Sequence, residues 1–120
     1  MLRRALSYFF ISITIIFSIS YSQDVVLSLD GNNLNYNSSS DIAGFQFNHN
    51  GCVSGASGGD AALNGFTISS SGSTILAFSF TGSVVPSGQG TLVVLSGDPS
   101  YDCLSNFIFS DSNGDAILVD

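Results

Sequence analysis

Apolar side chains recur at every second residue in four short runs of this chain. They are Val25, Leu27 and Leu29 in DVVLSLD, then Ala43, Phe45 and Phe47 in DIAGFQFNHN, then Leu76, Phe78 and Phe80 in STILAFSFTG, and finally Phe107 and Phe109 in SNFIFSDS. Successive residues of a strand point to opposite faces, so a period of two describes strands with one buried face. A helix would return its apolar stripe every three or four residues instead. A fifth run, TLVVLSG at 91–97, is continuously apolar and suits a strand covered on both sides. Turn-forming clusters separate the runs: GNN at 31–33, SSSG at 69–72, VPSGQG at 85–90 and GDPS at 97–100. Short strands broken by frequent turns predict an all-β domain, a single antiparallel β-sandwich of jelly-roll topology. Its expected core is Phe45, Phe47, Leu76, Phe78, Leu92, Val94, Phe107 and Phe109, drawn from two facing sheets. The stretch GASGGDAALNGF, residues 55–66, lacks the alternation. It reads as a long loop with one helical turn, capped by Asp60 and ended by Asn64-Gly65.

The first 22 residues carry a different pattern. Arg3 and Arg4 precede an apolar run from Ala5 to Phe17, and Ser20-Tyr21-Ser22 supplies the small residues that a signal peptidase reads. A signal peptide over 1–22, cleaved before Gln23, is therefore expected, with secretion or cell-surface display as the outcome. Residues 23–120 then form one domain, without internal repeat or linker. They hold nine Asp, one His and no Lys, Arg or Glu. Such a chain repels nucleic acid, whose binding rests on Lys and Arg displacing counterions, and it repels anionic membrane surfaces once the leader is gone. Basic proteins, neutral glycans and divalent cations remain as partners. Cys52 and Cys103 are the only cysteines, and an oxidising compartment predicts that they pair.

No catalytic constellation is assembled along the chain. Gly55-Ala56-Ser57-Gly58-Gly59 matches the nucleophile pattern G-x-S-x-G, but that pattern needs a buried strand, a helix and a later histidine. Here the only histidine, His49, comes earlier and reads as a surface residue at the end of a strand. No Asp pair has a spacing that singles it out as a glycosidase acid and base. The chain is read as non-catalytic. Asn37-Ser38-Ser39 is a glycosylation sequon. Tyr36 and Tyr101 are the only tyrosines after the leader and there is no tryptophan, so few rings are available to stack on sugars.

The end of the chain, FSDSNGDAILVD, admits two readings. Asp111, Asn113 and Asp115 alternate oxygen ligands as a calcium loop does, yet the sixth position is Ala116 and the tenth is already Asp120. Asn113-Gly114 between two apolar runs is a hairpin signal. With those two residues as the turn, Ser112 faces Asp115 and Phe109 faces Leu118. The hairpin is expected, no metal is required for folding, and calcium at Asp111, Asn113 or Asp115 would be weak.

Several stretches resemble the cohesin domain. Gly44-Phe45-Gln46-Phe47 in DIAGFQFNHNG is similar to the early Gly-aromatic-x-aromatic strand of that family. STILAFSFTGSVVPSGQGTLVVLS resembles its paired strands around a Gly-rich turn, and SNFIFSDSNGDAILV its closing strand and last turn. These cover most of residues 41–119 in the family's order. NHNGCVSGAS at 48–57 stands where the family carries a Tyr-Asp-Pro segment. The resemblance implies a jelly-roll sandwich that binds a partner, dockerin-like in the family, through one sheet face. It carries over no contact residues. The functional expectation is a secreted binding or assembly module that engages an extracellular protein or itself. The alternative is a carbohydrate-binding surface protein that uses Asn- and Asp-rich loops such as 30–41 to bond polysaccharide hydroxyls.

Overall fold

A computed structural model describes residues 24–120. The predicted signal peptide, residues 1–22, lies outside the described residues. Nine strands follow one another: β1 Asp24–Asp30, β2 Asn33–Ser38, β3 Gly44–His49, β4 Val53–Ser57, β5 Thr67–Ser70, β6 Thr74–Phe78, β7 Gly88–Gly97, β8 Leu104–Ser110 and β9 Ala116–Val119. One helical turn, α1 Gly59–Leu63, joins β4 to β5, and a 3-10 turn at Tyr101–Cys103 precedes β8. The fold is all-β, as the alternation predicts.

The strands lie in the order β4-β7-β2-β1-β9-β8-β3-β6-β5. This ribbon folds over on itself at β9. Ala116 and Ile117 pair with Ser110 and Phe109 of β8, whereas Leu118 and Val119 pair with Asp24 and Val25 of β1. Two layers result, sheet I (β4-β7-β2-β1) and sheet II (β8-β3-β6-β5), sharing β9 at one corner. The β9–β1 pairing is parallel and the other strand pairings are antiparallel, so the sandwich is mixed at that corner. At the opposite side α1 packs against β7 and β5. Gly59 makes this approach possible, because a Cβ there would collide with the Leu92 carbonyl and the Val93 amide.

One core fills the space between the layers. Val25, Leu27, Leu34, Tyr36, Leu92 and Leu95 enter it from sheet I, and Phe45, Phe47, Ile75, Ala77 and Phe109 from sheet II. Aromatic rings form its spine, with Phe45 stacked on Phe109 at 5.3 Å and Phe47 tilted against Phe107 at 5.4 Å. Each such ring is worth about 1.5–3 kcal/mol of burial.

Four of the eight expected core residues are buried: Phe45, Phe47, Leu92 and Phe109. Phe107 is half-buried and packs on the core edge, and Val94 is half-buried. Leu76 and Phe78 are corrections. In β6 the residues that point inward are Ile75 and Ala77, both fully buried, which puts Leu76 and Phe78 on the outer face and leaves Phe80 beyond the strand largely exposed. A shift of one residue exchanges the two faces of a strand, and both faces of TILAFSF are apolar.

Cys52 and Cys103 form a disulfide with Cα atoms 6.5 Å apart. It ties the segment entering β4, the edge of sheet I, to the turn entering β8 of sheet II. The bond therefore staples one layer to the other across a sequence separation of 51 residues.

Candidate interaction face

The register of sheet II sets out its outer surface row by row. Thr67, Phe78, Gly44 and Ser110 lie side by side across β5, β6, β3 and β8, and Ser69, Leu76, Gln46 and Ile108 form the next row. A third row begins at Thr74, whose hydroxyl donates to the Asn48 side-chain oxygen at 3.2 Å. Leu76 is 38% exposed and Ile108 55%. Phe80, just past β6, meets Phe78 edge to face with ring centroids 4.8 Å apart and is 78% exposed. Large apolar side chains thus stand together on a surface that faces solvent.

Two local features shape this face. Asn106 in β8 adopts φ 54°, a left-handed conformation that Asn tolerates better than most residues. It belongs to a bulge in which Asn106 and Phe107 lie opposite the single residue Phe47, between the Gln46–Ile108 and Asn48–Ser105 pairs. A bulge of this kind bends the strand and re-aims the side chains beyond it, here Ile108 outward and Phe109 inward. The second feature is Gly44, which leaves a hollow of about 200 Å³ lined by Gln46, Leu76, Phe78, Ile108 and Ser110. A Cβ at Gly44 would sit 3.4 Å from the Ala77 carbonyl oxygen and 3.7 Å from Phe78 Cβ, ordinary contact distances for that one atom.

The remaining candidates have structural positions. His49 is a correction, being buried rather than at the surface. Its Nδ1 accepts from the Gly51 amide at 3.0 Å and its Nε2 lies 3.0 Å from the Ser71 carbonyl, to which it donates. Both ring nitrogens of this neutral tautomer are committed to backbone. Ser57 ends β4 in the other sheet and is exposed, with the one-turn α1 after it. Asp60 does not cap α1, because Gly58 holds that position with no side-chain bond. Its carboxylate instead accepts from the Tyr36 hydroxyl at 2.7 Å, which anchors α1 to β2. Burial, and then the Asp60 bond and charge, push the Tyr36 hydroxyl well above the ordinary tyrosine range. Burial also raises Tyr101.

The turn after β8 gathers Asp111, Asn113 and Asp115, but around protein amides. Asp111 Oδ1 accepts from the Asn113 amide at 2.9 Å and from the Asp115 amide at 3.0 Å. Asp111 also pairs with Asp115 through backbone, so the loop has three residues, Ser112 to Gly114, rather than two. A two-residue turn of the favoured type needs positive φ at both central positions. Only Gly114 has it here, at 84°. The expected register is corrected by one: Phe109 faces Ile117, not Leu118. Ile117 is accordingly buried and Leu118 is 64% exposed. Among the described residues no group of three or more His, Cys, Asp or Glu side chains converges as a metal site would require.

Residues 33–38, expected in a polar loop, are strand β2. Its inward residues are Leu34, Tyr36 and Ser38, and its outward ones are Asn33, Asn35 and Asn37, so the sequon asparagine stands on the outer face of sheet I. The strict alternation of NLNYNS carries this information. Among the described residues no helix is long and apolar enough to cross a membrane. No family model, no curated protein and no solved structure matches this chain.

Proposed function

We propose that this is a secreted, non-catalytic binding module that holds another extracellular protein against the outer face of sheet II. The observation that carries the proposal is the group of outward apolar side chains, exposed Leu76, Phe80 and Ile108 with half-buried Phe78, at and beside the Gly44 hollow. Exposed apolar patches with a polar rim mark interaction sites, and here Thr67, Ser69, Thr74 and Ser110 supply the rim. A pocket that accepts one apolar side chain is where interface energy concentrates. The non-catalytic part rests on His49, whose ring is engaged at both nitrogens. The cystine is compatible with an extracellular setting.

Charge selects the occupant. Residues 24–120 carry nine Asp and no Lys, Arg or Glu, so two copies of the domain repel each other. A partner whose apolar anchor is flanked by Lys or Arg is attracted instead, most strongly at low salt. This is a partner protein rather than a second copy, in line with what the resemblance of the sequence to cohesins implies.

The test compares the cystine-bonded protein with two variants, Leu76→Asp/Ile108→Asp and Gly44→Val, on the native extracellular fraction. The wild type should retain one protein in stoichiometric amount and release it as salt is raised. Both variants should lose it while keeping their circular dichroism spectrum. Retention that neither variant alters would refute the proposal. So would a wild-type dimer in sedimentation that the double variant dissolves.

A further inference from the structure

The outer face of sheet I has another chemistry. Register places Val26, Asn37 and Gln89 in one row across β1, β2 and β7, and Ser28, Asn35 and Thr91 in the next. Together with the backbone at Tyr36 and Gly90 they enclose a shallow hollow of about 390 Å³. No charged side chain lines it, although the domain carries nine Asp. One side-chain bond lies within it, from the Thr91 hydroxyl to Asn35 Oδ1 at 2.8 Å. Among the described residues Ser28, Asn37 and Gln89 make no side-chain hydrogen bond, and Asn37 and Gln89 are exposed.

This chemistry narrows the ligand. An amide offers two donors and an acceptor, and a hydroxyl offers both roles, so such a lining is matched by groups that donate and accept at once. An anionic polymer would call for Arg or Lys and a cation for carboxylates, and the hollow holds neither. A protein partner would call for an apolar centre, which belongs to the opposite face. Side chains two apart on a strand are about 6.7 Å apart and neighbouring strands about 4.8 Å, so the hollow presents a grid of polar groups that can meet several hydroxyls of one ligand at once. Val26, 49% exposed, offers an apolar contact for the C–H face of one ring. Side chains mounted on paired strands are held in place before the ligand arrives, which spares the cost of ordering a loop.

We propose that this hollow is a second binding site, for a segment of neutral polysaccharide laid across β1, β2 and β7, with Asn37 and Gln89 as its principal contacts. The site lies on the other layer from the apolar face and works whether or not that face binds a protein. The module would then tether a protein on one side to a glycan on the other.

The experiment uses cystine-bonded protein produced without N-glycosylation, so that Asn37 is bare, on an array of neutral gluco-, manno- and galacto-oligosaccharides with sulfated and uronate glycans alongside. Titration calorimetry then follows the strongest ligand. Saturable binding to a neutral glycan is expected, weakened about tenfold or more by Asn37→Ala/Gln89→Ala, a loss of about 1.4 kcal/mol or more. Leu76→Asp/Ile108→Asp should leave it unchanged, which separates this site from the apolar face. The proposal is overturned by an array with no saturable neutral ligand, by binding confined to the anionic glycans, or by affinity that survives loss of both amides.

Discussion

The two outer faces of the sandwich are built on the same backbone pattern and end with opposite chemistry. In β2 of sheet I the alternation is one-sided: it buries Leu34 and Tyr36 and turns Asn35 and Asn37 to solvent. In β6 of sheet II it is two-sided: it buries Ile75 and Ala77 and turns Leu76 and Phe78 outward. A strand with one apolar face needs only a core. A strand with two asks for a second surface to cover the other one, and among the described residues nothing covers it. The contrast teaches that the second apolar face of β6 lies beyond what the core can take up.

Separating the layers gives the largest expected effect. Cys52→Ala/Cys103→Ala removes the one disulfide cross-link among the described residues between sheet I and sheet II and should lower unfolding free energy by about 4 kcal/mol in chain-entropy terms. Chemical denaturation against the wild type measures it. A loss below about 1 kcal/mol would mean that packing alone holds the layers together.

Next come two neighbours on one strand. Ile75→Ala opens a cavity in the core and should cost about 3 kcal/mol. Leu76→Ala, one residue away on the exposed face, should cost less than about 1 kcal/mol. Equal losses at the two positions would mean that the faces of β6 are misassigned.

A smaller effect tests the inner side of sheet I. Tyr36→Phe removes the bond to Asp60 and should cost about 1–2 kcal/mol. Because the folded state holds the Tyr36 proton more tightly than the unfolded chain, that contribution is whole below the ordinary tyrosine value near ~10 and is lost as pH rises above it. Wild type should therefore lose stability more steeply than Tyr36→Phe in alkaline melts. Parallel slopes above pH ~10 would remove Tyr36 as the cause.

The smallest effect concerns calcium. Asp111 already satisfies the turn through two backbone amides, so adding calcium or a chelator should move Tm by less than about 1 °C. A marked rise at micromolar calcium, absent in Asp111→Ala, would reveal a site by mass action.

Where one strand face was polar, the alternation alone placed the residues correctly. Phe45 and Phe47 flank Gln46, and both are buried. In β6 both faces are apolar, so the alternation of Leu76, Phe78 and Phe80 fits the same period as that of Ile75 and Ala77 and does not choose between them. The last hairpin slipped by one residue for a local reason, since Asn113 does not take the positive φ that a two-residue turn demands. The amide-lined hollow was legible only in part. NLNYNS announces outward asparagines, but their alignment with Gln89 and Thr91 depends on β2 pairing with β7, which lies more than 50 residues further along the chain.

The parallel corner formed by β1 and β9 also has a mechanical meaning. A pull applied at Asp24 and Asp120 drives these two strands past each other along their length, so it loads their hydrogen bonds in shear. The Asp120 amide on the Val25 carbonyl at 2.8 Å and the Leu27 amide on the Asp120 carbonyl at 3.3 Å take the load together, instead of opening one after another as in a peeled hairpin. If that corner yields, the chain between Cys52 and Cys103 still cannot lengthen, because the cystine closes it. Tension on the described domain therefore meets a resisting latch first and a fixed loop second.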